Sequence, residues 1–282
     1  MKRVILLTDL SEIARNAALY ALKMFEHKDV HFELLNIFDV DFSGSPYIMQ
    51  VKEEMAEESM RGLRRELSLL HAQYPNSHIE LASRFGAMTE IIRKEIDYFE
   101  PSLIVLGCKG ESELEHFLLG SNALEIIRHV HFPMLVVPAN AKFSPPQKIV
   151  FATDMKDVDI SKMATPLNNM VKTYNSELLF LNVLEEEYIN KIEAEEKIAS
   201  YFPKIKHSFH FIDQEGDICK SILKFMNDHK ATLLILIRHH HSFFQRLFNP
   251  HVIKKMVRHP HHPMLILHEM EANEKQKSQK TE

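Results

Sequence analysis

The feature that most constrains this chain is that it repeats itself. "FGAMTEIIRKEIDYFEPSLIVLG" (85–107) lies against "EGDICKSILKFMNDHKATLLILI" (215–237) without a gap, pairing Gly86 with Gly216. "HVHFPMLVV" (129–137) continues against "HPHHPMLIL" (259–267), pairing Pro133 with Pro263 at the same offset of 130 residues. Nearer the start, "RVILLTDLSE" (3–12) matches "KIVFATDMKD" (148–157), each an apolar run ending in Thr-Asp. "HFELLNIF" (31–38) likewise matches "SELLFLNVL" (176–184), each with an Asn near its end. Whatever fold the first copy adopts, the second must adopt again. The second copy is shorter by roughly fifteen residues, lost between its second and third strands. The copies span 1–139 and 147–268, and 282 residues suit two domains of this size. "PANAKFSPPQK" (138–148), rich in Pro, Asn and Ser, reads as the linker. The tail 269–282 has no apolar residue beyond Met270 and Ala272 and reads as a disordered, solvated end.

Within the first copy, apolar runs alternate with segments of helical period. Strands are expected at 3–9, 31–38, 78–84, 102–107 and 133–138. Between them, "EIARNAALYALKMF" places Ile13, Ala17, Tyr20, Ala21 and Met24 on one face, and "MTEIIRKEIDYF" does the same with Ile91, Ile92, Ile96 and Phe99. Runs such as "LIVLG" and "MLVVP" are apolar throughout, as a parallel sheet covered on both faces requires. The alternation predicts two tandem doubly wound α/β domains. Ligands of such sheets sit beyond the carboxyl ends of the strands, where the strand order reverses.

The segment "GCKGESELEHFLLGS" (107–121) occupies such an end and holds three of the chain's seven glycines. Its spacing, G-x2-G-x9-G-S, is neither a Walker loop nor G-x-G-x-x-G. It still suits an anion. Gly107 and Gly110 permit a sharp turn that can aim amide hydrogens at a phosphate. Gly120-Ser121 opens the helical segment "SNALEIIRHV", whose start offers free N–H groups and a hydroxyl. A strand–loop–helix connection using glycines only to turn is the alternative.

Taken together, Thr8-Asp9, Gly86, the G-x2-G-x9-G-S spacing and the closing "HFPMLVVP" resemble the universal stress protein family. The resemblance covers nearly the whole chain, as a tandem member. It implies five-stranded parallel sheets of order 3-2-1-4-5, paired about a pseudo-twofold through their last strands. It also implies ATP, with Mg, in the first copy. Gly107, Gly110, Gly120 and Ser121 would hold the phosphates, with Asn122 beside them. Asp9 and Thr8 would lie near the ribose and adenine, and Ile37 would pack or bond through its backbone at the adenine. The implied role is a stress-response regulator whose nucleotide orders a surface read by protein partners, rather than an enzyme. No paired general base is identifiable in the sequence. Cys108 reads as an inert small residue, and Lys109 and Glu111 as solvated loop residues.

The second copy departs from the pattern. Gly107, Gly110, Gly120 and Ser121 become Ile237, His240, Pro250 and His251, which cannot supply the same backbone or donors. Asp154 survives. The expectation is one nucleotide site per chain, with the second copy a structural partner. Two other classes compete with this reading. His239, His240 and His241 stand where the phosphate loop would be, and a zinc-binding or metal-dependent function would use them. A pure interaction module would use neither site.

Composition narrows the classes further. A net charge of −5 offers no basic excess for nucleic acid, and no 18-residue apolar run suggests a membrane helix. Two cysteines give no disulfide framework and fit a reducing, cytoplasmic setting. "VKEEMAEESMRGLRRELSLLHAQY" (51–74) reads as a helix with a solvated charged face.

Overall fold

The computed structural model describes residues 2–26, 28–39, 48–109, 121–153, 161–184, 191–214, 217–238 and 262–268. The first half runs β1 (Lys2–Leu7), α1 (Glu12–Met24), β2 (Val30–Phe38), α2 (Ile48–His71), β3 (His78–Phe85), α3 (Met88–Phe99), β4 (Leu103–Cys108), α4 (Ser121–His129) and β5 (Met134–Pro138). The second runs β6 (Lys148–Ala152), α5 (Ser161–Tyr174), β7 (Glu177–Leu184), α6 (Lys191–Ser200), β8 (His207–Asp213), α7 (Ile218–His229), β9 (Leu233–Arg238) and β10 (Met264–His268). Each half is a parallel sheet, of order β3-β2-β1-β4-β5 and β8-β7-β6-β9-β10. Helices cover both faces, leaving one apolar core on each side of the sheet. The tail 269–282 lies outside the described residues. No helix among the described residues is long and apolar enough to cross a membrane.

Local chemistry accounts for the helix ends. The Ser11 side chain caps α1 by accepting from the Ala14 amide, with Glu12 in the first turn and Lys23 in the last. Glu100 and Lys230, at the same place in the two halves, end α3 and α7 in the left-handed region, at φ 48° and 55°. The shortening of the second copy falls on one element: α2 has 24 residues where α6 has 10. Most of α2's charges are solvated, but Glu66 is buried and takes both Nε and Nη2 of Arg15, at 2.7 and 2.6 Å, fastening α2 to α1.

The halves join edge to edge. β5 and β10 pair antiparallel, with Met134 opposite Ile266, Leu135 opposite Leu265 and Val136 opposite Met264. Leu135 and Leu265 are themselves equivalent positions at the 130-residue offset. The seam is therefore a two-fold contact in which each residue faces its own counterpart's neighbourhood. It merges two five-stranded sheets into one of ten and removes two apolar edges from solvent.

Residues 139–147, between β5 and β6, form no element, yet they are packed. Asn16 Nδ2 donates to the carbonyls of Pro138 and Ala141, at 3.3 and 3.0 Å. Phe143 sits between Tyr20 of α1 and Tyr174 of α5, with ring centroids 5.2 and 5.9 Å away. The Tyr174 hydroxyl donates to the Met24 carbonyl and completes the staple between the halves. Phe143→Ala should lower unfolding stability by about 2–3 kcal/mol, less than for a fully buried ring because Phe143 is half-buried. Urea denaturation followed by circular dichroism measures it.

Candidate functional site

The chain order reverses at β1. From there it proceeds outward through β2 and β3 on one side, and β4 and β5 on the other. The crevice between the carboxyl ends of β1 and β4 is thus the place where such a sheet can receive a ligand. Thr8 and Asp9 lie at one wall, and Gly107, Cys108 and Lys109 at the other. β1 ends at Leu7, so Thr8 and Asp9 belong to the turn into α1 rather than to the strand.

That turn is held from three directions. The Thr8 amide donates to the Leu35 carbonyl at 2.9 Å, and Thr8 Oγ1 accepts from the Leu10 amide at 2.9 Å. Asp9 Oδ1 accepts from the Ser11 amide at 3.0 Å, while Leu10 takes a positive φ of 66°. Beneath it, Asn36 Nδ2 donates to the Thr8 carbonyl at 2.7 Å. Asn36 Oδ1 accepts from Ser59 of α2 at 2.7 Å, and the Ser59 and Ser83 hydroxyls are also 2.7 Å apart. This buried chain satisfies every group in it and fixes where Asp9 stands. Asp9 itself is exposed, with one carboxylate oxygen committed to the turn. The repeated Asn near the end of the second strand was its sequence signal. In the second half Asn182 Nδ2 likewise donates to the Thr153 carbonyl, at 3.1 Å.

Gly107 has a structural duty. A side-chain carbon placed there would stand 2.7 Å from the Ile13 carbonyl oxygen and 3.0 Å from its carbon. The absence of a side chain is what lets the start of α1 rest on β4. At the corresponding place in the second half, Ile237 fills the face with a buried side chain. No backbone can come as near there. Cys108 is buried, and burial pushes its thiol up to about 12, which makes it unreactive.

Of the other expected site residues, Ser121 begins α4 and Asn122 follows it, exposed. Ile37 is half-buried, and its side chain packs against the core beneath α3. Gly110, Gly120, Glu111 and Asp154 lie outside the described residues, as do His239, His240 and His241. Among the described residues no group of three His, Cys, Asp or Glu side chains is placed to hold a metal.

The model of the universal stress protein family matches residues 1–138. Through its N-terminal half, this chain belongs to that family. A universal stress protein of Methanocaldococcus jannaschii is 28% identical over 140 residues, 48% of this chain and 81% of that protein. Universal stress protein G of Escherichia coli O157:H7 is 30% identical over 90 residues, 32% of this chain and 61% of that protein. The crystal structure of a universal stress protein from Archaeoglobus fulgidus covers 94% of this chain, and 96% of its own, with a TM-score of 0.68 at 18% identity. A functionally unknown Pseudomonas aeruginosa protein covers 95% of this chain and 92% of its own at a TM-score of 0.56 and 13% identity. At these identities the two structures speak for the fold alone. The universal stress protein fold is thus present across both halves, while the family's sequence match falls on the first.

Gly107→Ala should cost about 1–3 kcal/mol of stability with no ligand present, because the added methyl must displace the Ile13 carbonyl. Urea melts of the two proteins, run without nucleotide, measure the loss.

Proposed function

We propose that the N-terminal half binds one ATP, with Mg2+, in the crevice between β1 and β4, and that the chain acts as a nucleotide-responsive regulator. The observation that carries the reading is the Asp9 turn. It is exposed at a strand end where the chain order reverses, and it is held there by the Asn36–Ser59–Ser83 chain. Across from it begins the G-x2-G-x9-G-S segment, and α4 starts at that segment's last residue. The start of α4 supplies free amides and a partial positive charge, which favour an anion.

In this reading Gly110, Gly120, Ser121 and Asn122 hold the phosphates. Asp9 and Thr8 meet the ribose or base, and the Ile37 backbone borders the base. Gly107 contributes by letting α1 close on β4. One carboxylate together with phosphate oxygens is a donor set that suits Mg2+, which retains its remaining waters. Nucleotide would act by setting the conformation of residues 108–120, and protein partners would read that surface. The second half contributes the β10 edge and no site of its own, since Ile237, His240, Pro250 and His251 replace the motif.

Isothermal titration with ATP and Mg2+ should give micromolar-range binding at one site per chain. Asp9→Ala should weaken it at least about tenfold, the loss of one charge-assisted contact. Gly120→Val should abolish it, and Pro250→Gly should leave it unchanged. Two sites per chain, or none, would overturn the proposal.

A further inference from the structure

Three charged side chains enter the apolar core between α3 and the sheet. Glu33 of β2 and Glu95 of α3 are each only 4% exposed, and Arg84 of β3 pairs with Glu95 through Nε. Arg84 Nη1 also donates to the Ser83 carbonyl at 3.3 Å. Glu33 Oε1 and Glu95 Oε2 are both buried without a hydrogen-bond partner. Two carboxyl groups face one guanidinium, in a core shared with Ile5, Leu35, Ala82 and Ile92. With both ionised, one negative charge stays uncompensated, and a bound proton removes it.

The second half shows that the fold does not need these charges. Asn36 and Asn182, each bonded to the carbonyl just past the first strand of its half, match β2 to β7. Register pairs Leu34 with Leu81 and Phe180 with Phe209, matching β3 to β8, and the 130-residue offset matches α3 to α7. Glu33, Arg84 and Glu95 then correspond to Leu179, Ile212 and Phe225. Leu179 and Phe225 are buried and Ile212 packs against the same core. One fold is thus built twice, with charge at three positions in one half and hydrocarbon in the other.

We infer that Glu33, Glu95 and Arg84 form a proton-binding site that sets how firmly α3 docks on the sheet, firm with the proton held and loosened when it leaves. The approach to the helix is tied to the carboxyl end of β2. The helix follows directly on Gly86, whose φ is +135° and whose amide donates to the Phe38 carbonyl at 3.0 Å. Burial and then the Glu95 carboxylate push Glu33 up to about 7 from an ordinary 4.5, with Arg84 opposing and Glu80 adding. A carboxyl that holds its proton more tightly when folded stabilises the fold fully below 4.5. That stabilisation falls as the pH rises and is gone above about 7.

The remaining charged groups on this face are engaged elsewhere or exposed, His78 of β3 lying exposed beside His31. Arg3 of β1 donates to the Phe99 carbonyl at 2.8 Å, and its guanidinium lies over the Phe99 ring. His31 pairs with Glu80 at 3.1 Å. On α3, Arg93 donates to the His129 carbonyl of α4, Glu90 pairs with Lys94, and Asp97 and Tyr98 are exposed.

The test uses the full chain carrying His31→Gln and His78→Gln, so that neither imidazole of this register pair contributes. Carbon-13 NMR of the glutamate carboxyl groups, assigned by the resonance lost in Glu33→Gln, should place the Glu33 midpoint near pH 7. Amide protection factors across 88–99 should fall about tenfold or more between pH 5.5 and 8.5. They should stay flat in Glu33→Gln, and in the triple variant Glu33→Leu, Arg84→Ile, Glu95→Phe, which borrows the packing of the second half. A Glu33 midpoint below pH 5.5 overturns the inference. So does protection in either variant that falls with pH as far as in the parent. Should Glu33→Gln fail to fold, the triple variant supplies both the assignment and the comparison.

Discussion

The contact on which the candidate site depends is the approach of the Ile13 carbonyl to Gly107. At 2.7 Å from any side-chain carbon that could be placed there, α1 rests on β4 with no room for even a methyl group. That contact closes the β1–α1 turn over the crevice and brings Asp9 opposite the end of β4. The same turn is pinned from below by Asn36 and from the side by the Leu35 carbonyl. The second half retains the lower tie, Asn182 to Thr153, but has Ile237 where Gly107 stands. The fold-making part of the arrangement is common to both copies. The part that shapes a crevice is confined to one.

The seam between β5 and β10 explains how a degenerate copy can persist. A five-stranded sheet ending in "MLVVP" leaves an apolar edge, and an edge of that kind invites uncontrolled pairing. Here it is met by "MLILH" of the same chain, with Leu135 opposite Leu265 on the approximate two-fold. A second copy that has lost its glycines still supplies this strand. It also supplies Tyr174, which holds Phe143 of the linker and the end of α1. The second half thus has a structural role at both the seam and the linker.

Much of this was legible in the residues. The duplication and the strand order within the first half follow from apolar runs, spacing and family resemblance, because parallel strands buried on both faces leave continuous hydrophobic stretches. α3 falls where the helical period of "MTEIIRKEIDYF" puts it, at Met88–Phe99. Less visible were features that depend on what lies across space. The linker composition gave no hint that Phe143 is gripped by two tyrosines, since those partners are far apart in the chain. Gly107 looked like a turn residue, whereas its absent side chain serves helix packing. The Asn near the end of each second strand was visible, but its bond to a carbonyl on the neighbouring strand was not. Glu33 in "HFELLNIF" carried a signal that could have been used, a charge on the buried face of an otherwise apolar strand.

The two halves form an internal comparison of one fold with and without polar equipment, at the crevice and under α3 of the first half. The central claim is that only this half holds a ligand. Hydrogen exchange read by mass spectrometry, with and without ATP and Mg2+, tests it most directly. Added protection should appear at residues 8–14 and 107–124, with none at 153–162 or 237–254. Equal protection in both sets, or none in the first, would contradict the account.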